Sequence, residues 1–423
     1  MSEPVTPLGK VIRRNAERLV REALTDTRVV LVNGARQSGK STLTALIASD
    51  HENPLTRNLD RPDVLAAAQE DPNTFVEHPG LLAIDEIQYA PELLLPIKYQ
   101  VGTDPRPGRF LLTGSARVLG LKSLPDALPG RMETIELWPF SQGELEGAVD
   151  GFAESVFHLA DGPLPVLPGD SRRALALRIA RGGFPEAVAR SDPRRRRRFL
   201  GSYVNTLIER DIRDLAGISK PADLKRLLQI VAARTGRLLV AANMASELSV
   251  SARTVQRYLD LCEEIFLIKR IPAWSGNLAT RAVVTPKVAC VDSGIAAYLL
   301  GLDENRLATG GDLFGPLLEG FVLMELSRQL SWADEDIRLF HYRTRDQVEV
   351  DAVLETADGR VAGVEVKASA TVRSEDFRGL RLLERQTGDA FAAGVVLYTG
   401  DQSLSFGPRL KALPVSALWR MRL

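Results

Sequence analysis

The segment GARQSGKST, residues 34–42, constrains the fold of this chain more than any other stretch. It satisfies G-x-x-x-x-G-K-[ST] at Gly34, Gly39, Lys40 and Ser41, with Thr42 behind. A β-branched run precedes it at residues 29–32, and a helical pattern follows from about Lys40. A strand that turns through glycines into a helix aims successive backbone N–H groups at one point, where the positive end of the helix adds to them. That is a cradle for phosphate. Gly34, Ala35, Arg36, Gln37, Ser38, Gly39, Lys40, Ser41 and Thr42 are expected to line it, with Lys40 reaching the β and γ phosphates of ATP and Ser41 holding Mg²⁺.

Two further apolar runs support an open α/β sheet. Residues 81–84 run into Asp85 and Glu86, and ligands bind beyond the C-terminal ends of such strands. Asp85 is expected to hold Mg²⁺ through water and Glu86 to polarise the attacking water. The run FLLTGS ends in Thr113, Gly114 and Ser115, where a hydroxyl either senses the γ-phosphate or caps a turn. Arg131 follows a Pro-Gly turn. It is either an exposed loop arginine or a contact to the γ-phosphate of its own or a neighbouring copy's nucleotide, and the second copy would make the protein a homo-oligomer. Arg210 and Arg213 are weaker candidates for that role.

At 423 residues the chain exceeds one ordinary core, and a prior of roughly 100 to 200 residues per domain points to several. Apolar content of 45% with 26% charged residues is that of a globular protein, and no apolar run is long enough to span a bilayer, so no membrane partner is expected. The N-terminus lacks the apolar core of a secretory signal, which points to the cytoplasm, and Cys262 and Cys290 show no metal-like spacing. Formal net charge is zero, so contact with DNA would need a local basic patch. Two places offer one. The run Arg194 to Arg198 reads first as a solvated helix face. Further on, between Pro221 and Trp274, two helices at Met244 to Leu248 and Ala252 to Leu261, followed by an apolar strand, have the outline of a winged helix-turn-helix. There Val255, Tyr258, Leu259 and Cys262 form the buried face, and Arg253, Gln256 and Arg257 lie outside. That outer face suits a major groove or a plain structural connector.

Near the C-terminus, VEVDAVLETADGRVAGVEVKAS reads as two alternating strands joined at Ala-Asp-Gly. A two-residue loop would set Asp351 opposite Val366. A three-residue loop, residues 357–359, would set it opposite Glu365. In the second register Asp351, Glu365 and Lys367 form the D-x13-E-x-K constellation of restriction-endonuclease-like folds. Two carboxylates there hold Mg²⁺ and the lysine assists the water. Glu319, on an apolar helix face, is a candidate third metal ligand or a partner of an arginine. The bland reading of the cluster is a structural salt bridge. His341 is expected to pack or hydrogen-bond.

GARQSGKST, RNLDRPD, LLAIDEIQ, LLTGSARVL, LPGRMETIELWPFS and RGGFPEAV together resemble a large prokaryotic group of AAA+-like ATPases whose C-terminal half carries a restriction-endonuclease-like segment. The resemblance implies fold and ATP binding, and it implies no biological role. The expected architecture is α/β: a P-loop ATPase core at residues 1–147, a helical lid at 148–217, a winged-helix-like connector at 218–275 and a nuclease-like α/β domain at 276–423. ATPase activity is expected, with cleavage of nucleic acid, or recognition of a partner by an inactive nuclease-like domain, as the alternatives for the C-terminal half.

Overall fold

The structure, a computed structural model, describes residues 6–115, 128–212, 221–276 and 285–422. Its contacts group into two units, Met1–Phe140 with Glu264–Phe266, and Ser141–Glu263 with Leu267–Leu423. Among the described residues no helix is long and apolar enough to cross a membrane.

The first unit is built on five parallel strands: β1 (Val29–Asn33), β2 (Leu55–Asn58), β3 (Leu82–Asp85), β4 (Phe110–Gly114) and β5 (Met132–Glu136), in the order β2-β3-β4-β1-β5. The three central strands are buried throughout, as parallel strands covered on both faces must be. Alternate residues feed two separate cores. Val29, Leu31, Leu82, Ile84, Phe110 and Leu112 pack on one side, and Val30, Val32, Ala83 and Leu111 on the other. The chain leaves β1 towards β2 on one side, and β5 returns on the other. The C-terminal end of β1 is therefore the point where strand order reverses, and the helix Lys40–Ser49 starts there.

In the second unit, helices Arg172–Arg181, Pro193–Thr206, Pro221–Ala233, Ala241–Leu248 and Ala252–Glu264 precede an antiparallel pair, β6 (Ile268–Ile271) and β7 (Lys287–Cys290). On the helix Ala252–Glu264 the expected buried residues are buried, and Arg253, Gln256 and Arg257 are exposed. The helix Phe314–Leu330 is buried on nearly every side, so it is a core helix rather than an amphipathic surface one. It belongs with a six-stranded mixed sheet: β8 (Ile337–Arg343), β9 (Glu349–Thr356), β10 (Val361–Lys367), β11 (Phe391–Tyr398), β12 (Leu404–Ser405) and β13 (Leu410–Pro414), in the order β12-β13-β11-β10-β9-β8.

The β9–β10 turn takes the three-residue form. Thr356 N–H donates to Arg360 O at 3.0 Å, and Gly359 adopts φ +88°, a left-handed conformation that L side chains rarely adopt. Val364 pairs with Ala352, the register that this turn sets, and the pairing ends there, one residue short of Asp351 and Glu365. The expected alternation along β9 is broken, however. Pairing shifts from Phe340↔Val353 to Tyr342↔Val350, so two residues of β9, Asp351 and Ala352, face the single residue His341. Val350 and Val353 consequently share one core with Leu380 and Leu383.

Candidate functional site

Gly34 follows β1 where the chain after β5 passes closest: Leu137 N–H donates to Asn33 O at 2.7 Å, and a Cβ on Gly34 would meet Leu137 O at 2.1 Å. Gly39 turns the loop into the helix at φ +100°, and Gln37 takes φ +60° without being glycine. Strain of that kind, on the order of 1 to 3 kcal/mol, gathers at ligand-binding loops. Arg14 braces the loop from outside, with Nη1 donating to Ser38 O at 2.8 Å and Nη2 to Trp138 O at 2.6 Å. Arg36 donates to the Tyr89 hydroxyl at 2.7 Å. Ser41 is exposed on the first helical turn and Thr42 is half-buried.

Lys40 is 3% exposed. Its Nζ donates to Gly34 O at 3.1 Å, Ala35 O at 2.9 Å and Ser115 Oγ at 2.9 Å. Among the described residues it makes no ion pair, and burial lowers its pKa to about 8, with Glu86 and Asp85 only partly opposing the shift. Strands β3 and β4 supply the facing groups. The Thr113 hydroxyl donates to Asp85 Oδ1 and accepts from Glu86 N–H at 2.9 Å. Ser115 Oγ donates to Glu86 Oε1 at 2.7 Å, and Gln88 holds the other Glu86 oxygen. Glu86 itself sits at φ +60°. Asp85 Oδ2 has no hydrogen bond among the described residues. With the exposed Ser41 hydroxyl it offers the hard oxygen donors that Mg²⁺ takes, so these residues fit the ion.

Arg131 requires a correction. It lies at the N-terminal end of β5, level with Val29, and its carbonyl accepts from Val29 N–H at 3.3 Å. Its guanidinium donates to Lys98 O at 3.2 Å on the helix Leu94–Thr103. The phosphate loop starts at the other end of β1, about 13 Å away at the usual rise per residue. Arg131 therefore does not face its own nucleotide site, because β5 joins β1 in parallel and carries its leading end away from the loop. Arg213 lies outside the described residues, as does the side chain of Arg210.

The C-terminal residues come together around a group that the sequence reading missed. Lys287, 2% exposed at the head of β7, donates from Nζ to Glu319 Oε1 at 2.6 Å and to Asp351 Oδ1 at 2.9 Å. Asp351 Oδ2 accepts from Val366 N–H at 2.9 Å, and Lys367 donates to Glu365 Oε1 at 3.0 Å. Burial works against the charge on Lys287, yet Asp351 and Glu319 hold its ammonium above the usual lysine range. Despite burial, Lys287 keeps the Asp351 carboxyl below its ordinary value. Burial and the charge of Asp351 push Glu319 well up, and they push Glu365 to about 8. Among the described residues no group of three His, Cys, Asp or Glu side chains is set to hold a metal ion. Of the expected metal ligands, Glu319 and Asp351 come together on Lys287, and as they stand these donors do not fit Mg²⁺, because the lysine already occupies them.

His341 packs as expected. It is fully buried, its Nε2 lies 3.1 Å from Thr285 O, and burial, then Lys287, lowers its pKa to about 4. On the helix Pro193–Thr206, Arg194 is solvated while Arg196 is buried and caps Arg190 O at 3.0 Å. A lysine heading the otherwise apolar strand KVAC was the one available signal for Lys287. Arg14 carried none.

Residues 26–146 match the family described as an AAA domain, which supports an AAA-like P-loop ATPase module in the first unit. Residues 172–306 and 314–418 match two families described as domains of unknown function, DUF8612 and DUF4143. An uncharacterized protein of Mycobacterium tuberculosis is 28% identical over 415 residues, covering 96% of this chain and 84% of that protein. An uncharacterized Haemophilus influenzae protein is 26% identical over 331 residues, covering 71% of this chain and 74% of that protein. Among solved structures, the Walker-type ATPase of Pyrococcus abyssi is similar at 16% identity and TM-score 0.44, over 71% of this chain and 98% of that one. The Thermotoga maritima RuvB Holliday junction branch migration motor is similar at 23% identity and TM-score 0.29, over 61% and 89%.

Proposed function

We propose that the first unit binds Mg-ATP at Gly34–Thr42 and hydrolyses it. The observation that carries this reading is Lys40, a buried ammonium at the start of a helix whose ligands are all neutral, and a triphosphate supplies the missing negative charge. In this reading Lys40 holds the β and γ phosphates. Ser41 and Asp85 hold Mg²⁺, which neutralises charge on the phosphates when bound. Glu86 orients the attacking water once Ser115 and Gln88 release it, and Thr113 couples the positions of Asp85 and Glu86. Arg131 enters only through a second copy, whose γ-phosphate it would face in a homo-oligomer. The division into a core at 1–147, a lid at 148–217, a connector at 218–275 and a C-terminal domain at 276–423 belongs to the same proposal, as does a cytoplasmic setting.

Turnover of ATP by wild type, by Lys40→Ala and by Glu86→Gln tests it. Lys40→Ala should lose binding and turnover, and Glu86→Gln should bind without turning over. Wild-type rates in either variant contradict it.

For the C-terminal half, the occupied donors favour a nucleotide-dependent switch whose nuclease-like sheet recognises a partner without cleaving it. A second reading, processing of DNA, is favoured by the exposed Arg253, Gln256 and Arg257 on one helix face. Plasmid and single-stranded DNA incubated with Mg²⁺ or Mn²⁺ separates the two. Nicking that disappears in Asp351→Ala would overturn the switch reading.

A further inference from the structure

The cation between Glu319 and Asp351 comes from a different part of the chain than the carboxylates. Lys287 lies in the segment that matches one family, and Glu319, Asp351 and Glu365 lie in the segment that matches another. Lys287 is set by backbone pairing rather than by a free loop. It pairs with Ile271 of β6 and bridges to Leu238, while its neighbour Val288 accepts from Gly236 N–H at 2.7 Å and donates to Arg237 O at 3.0 Å.

We propose that the Lys287 ammonium is the built-in cation of this carboxylate group, standing where a divalent metal ion would otherwise bind, so that β7 closes the site to Mg²⁺ and Mn²⁺ while it is seated. The two oxygens that converge on Nζ, Glu319 Oε1 and Asp351 Oδ1, come from a buried helix and from the bulged residue of β9. Such hard oxygens, brought together from separate elements, are what a small divalent cation takes at about 2.0 to 2.2 Å. A metal ion and an ammonium cannot share them, because both would need the same lone pairs and the two cations would repel at contact distance. Glu365 Oε2 is buried and has no hydrogen bond among the described residues, while Oε1 of the same carboxyl is held by Lys367. Removing the ammonium would therefore leave Glu319 Oε1 and Asp351 Oδ1, the two oxygens that converge on it, open to one small cation. This inference does not depend on nucleotide binding by the first unit, and its test contains no nucleotide.

The test is Mn²⁺ binding by the full chain, read from loss of the free-ion electron paramagnetic resonance signal, with folding followed by circular dichroism. Wild type should take up no Mn²⁺ that depends on Asp351. Lys287→Ala should bind one Mn²⁺ per chain and melt at a higher temperature with Mn²⁺ than with EDTA, and adding Asp351→Asn should abolish both effects. Any Mn²⁺ held at Ser41 and Asp85 is unaffected by Asp351→Asn and is subtracted by that arm. Should Lys287→Ala not fold, Lys287→Gln, which removes the charge and keeps most of the side chain, is read in the same way. Asp351-dependent Mn²⁺ binding by wild type overturns the proposal. So does a folded Lys287 variant that takes up none.

Discussion

Two lysines of this protein are almost equally buried, and their surroundings make opposite demands. Lys40 is surrounded by two carbonyls and a hydroxyl, and its pKa falls to about 8. Lys287 is clasped by two carboxylates, and its pKa rises. A buried cation without a counter-ion is unstable until an anion arrives, so the first unit is prepared for phosphate. A buried cation with its counter-ions in place is complete, so the second asks for nothing. Burial of a charged side chain therefore marks a ligand site only when the charge is unmatched.

The sharpest way to break this comparison is to remove each charge. Lys287→Met leaves Glu319 and Asp351 buried without their cation and should destabilise the second unit by about 3 to 5 kcal/mol. Lys40→Met in the nucleotide-free protein should cost nothing or be stabilising. Urea unfolding followed by tryptophan fluorescence reports mainly on the second unit, which holds Trp274, Trp332 and Trp419, with Trp138 in the first. Equal losses in the two variants would collapse the distinction. With ATP present the order reverses. Lys40→Ala should lower turnover by at least about 100-fold, the scale of losing one group that stabilises transition-state charge, and Lys287→Met should affect it far less.

A third test uses pH within the second unit. Asp150 is 2% exposed, accepts from Ser141 Oγ and from Gly143 N–H at 2.8 Å, and is raised by burial, then by the charge of Glu325, to about 8. Its folded-state pKa lies above its unfolded value, so the folded protein holds an extra proton between roughly pH 4 and pH 8. That stability is complete below pH 4 and is lost as pH rises towards 8, with a slope of up to about 1.4 kcal/mol per pH unit. In Asp150→Asn the slope should flatten, as urea midpoints across this range would show.

The smallest effect is also specific to Lys40. Near pH 8 about half of its population is neutral before ATP binds, and the phosphates should restore the charge. Binding should therefore draw in roughly half a proton, which calorimetry in buffers of different ionisation enthalpy detects.

What could be read from the sequence follows the range of the contacts. The phosphate loop was legible in full because one contiguous segment makes it and its geometry is mostly backbone. The β9–β10 turn was legible only as two alternatives, because a loop of two residues or of three sets different registers, and the structure takes the longer one. The bulge at Asp351 was not legible, since it depends on β8, and it breaks the alternation expected along β9. Which of its expected roles Arg131 could take was not legible, because its distance from the loop depends on strand order and direction, which no local pattern states. Lys287 was missed because its two partners lie 32 and 64 residues further along the chain.

The most direct test is equilibrium binding of Mg-ATP to wild type and to Lys40→Met, both shown to be folded in the absence of nucleotide. Saturable binding by wild type, weakened by at least about tenfold in the variant, is the predicted result for a buried lysine that lacks a counter-ion. Equal affinity in the two proteins would mean that the unmatched charge of Lys40 does not recruit the triphosphate, and the contrast between the two lysines would lose its functional meaning.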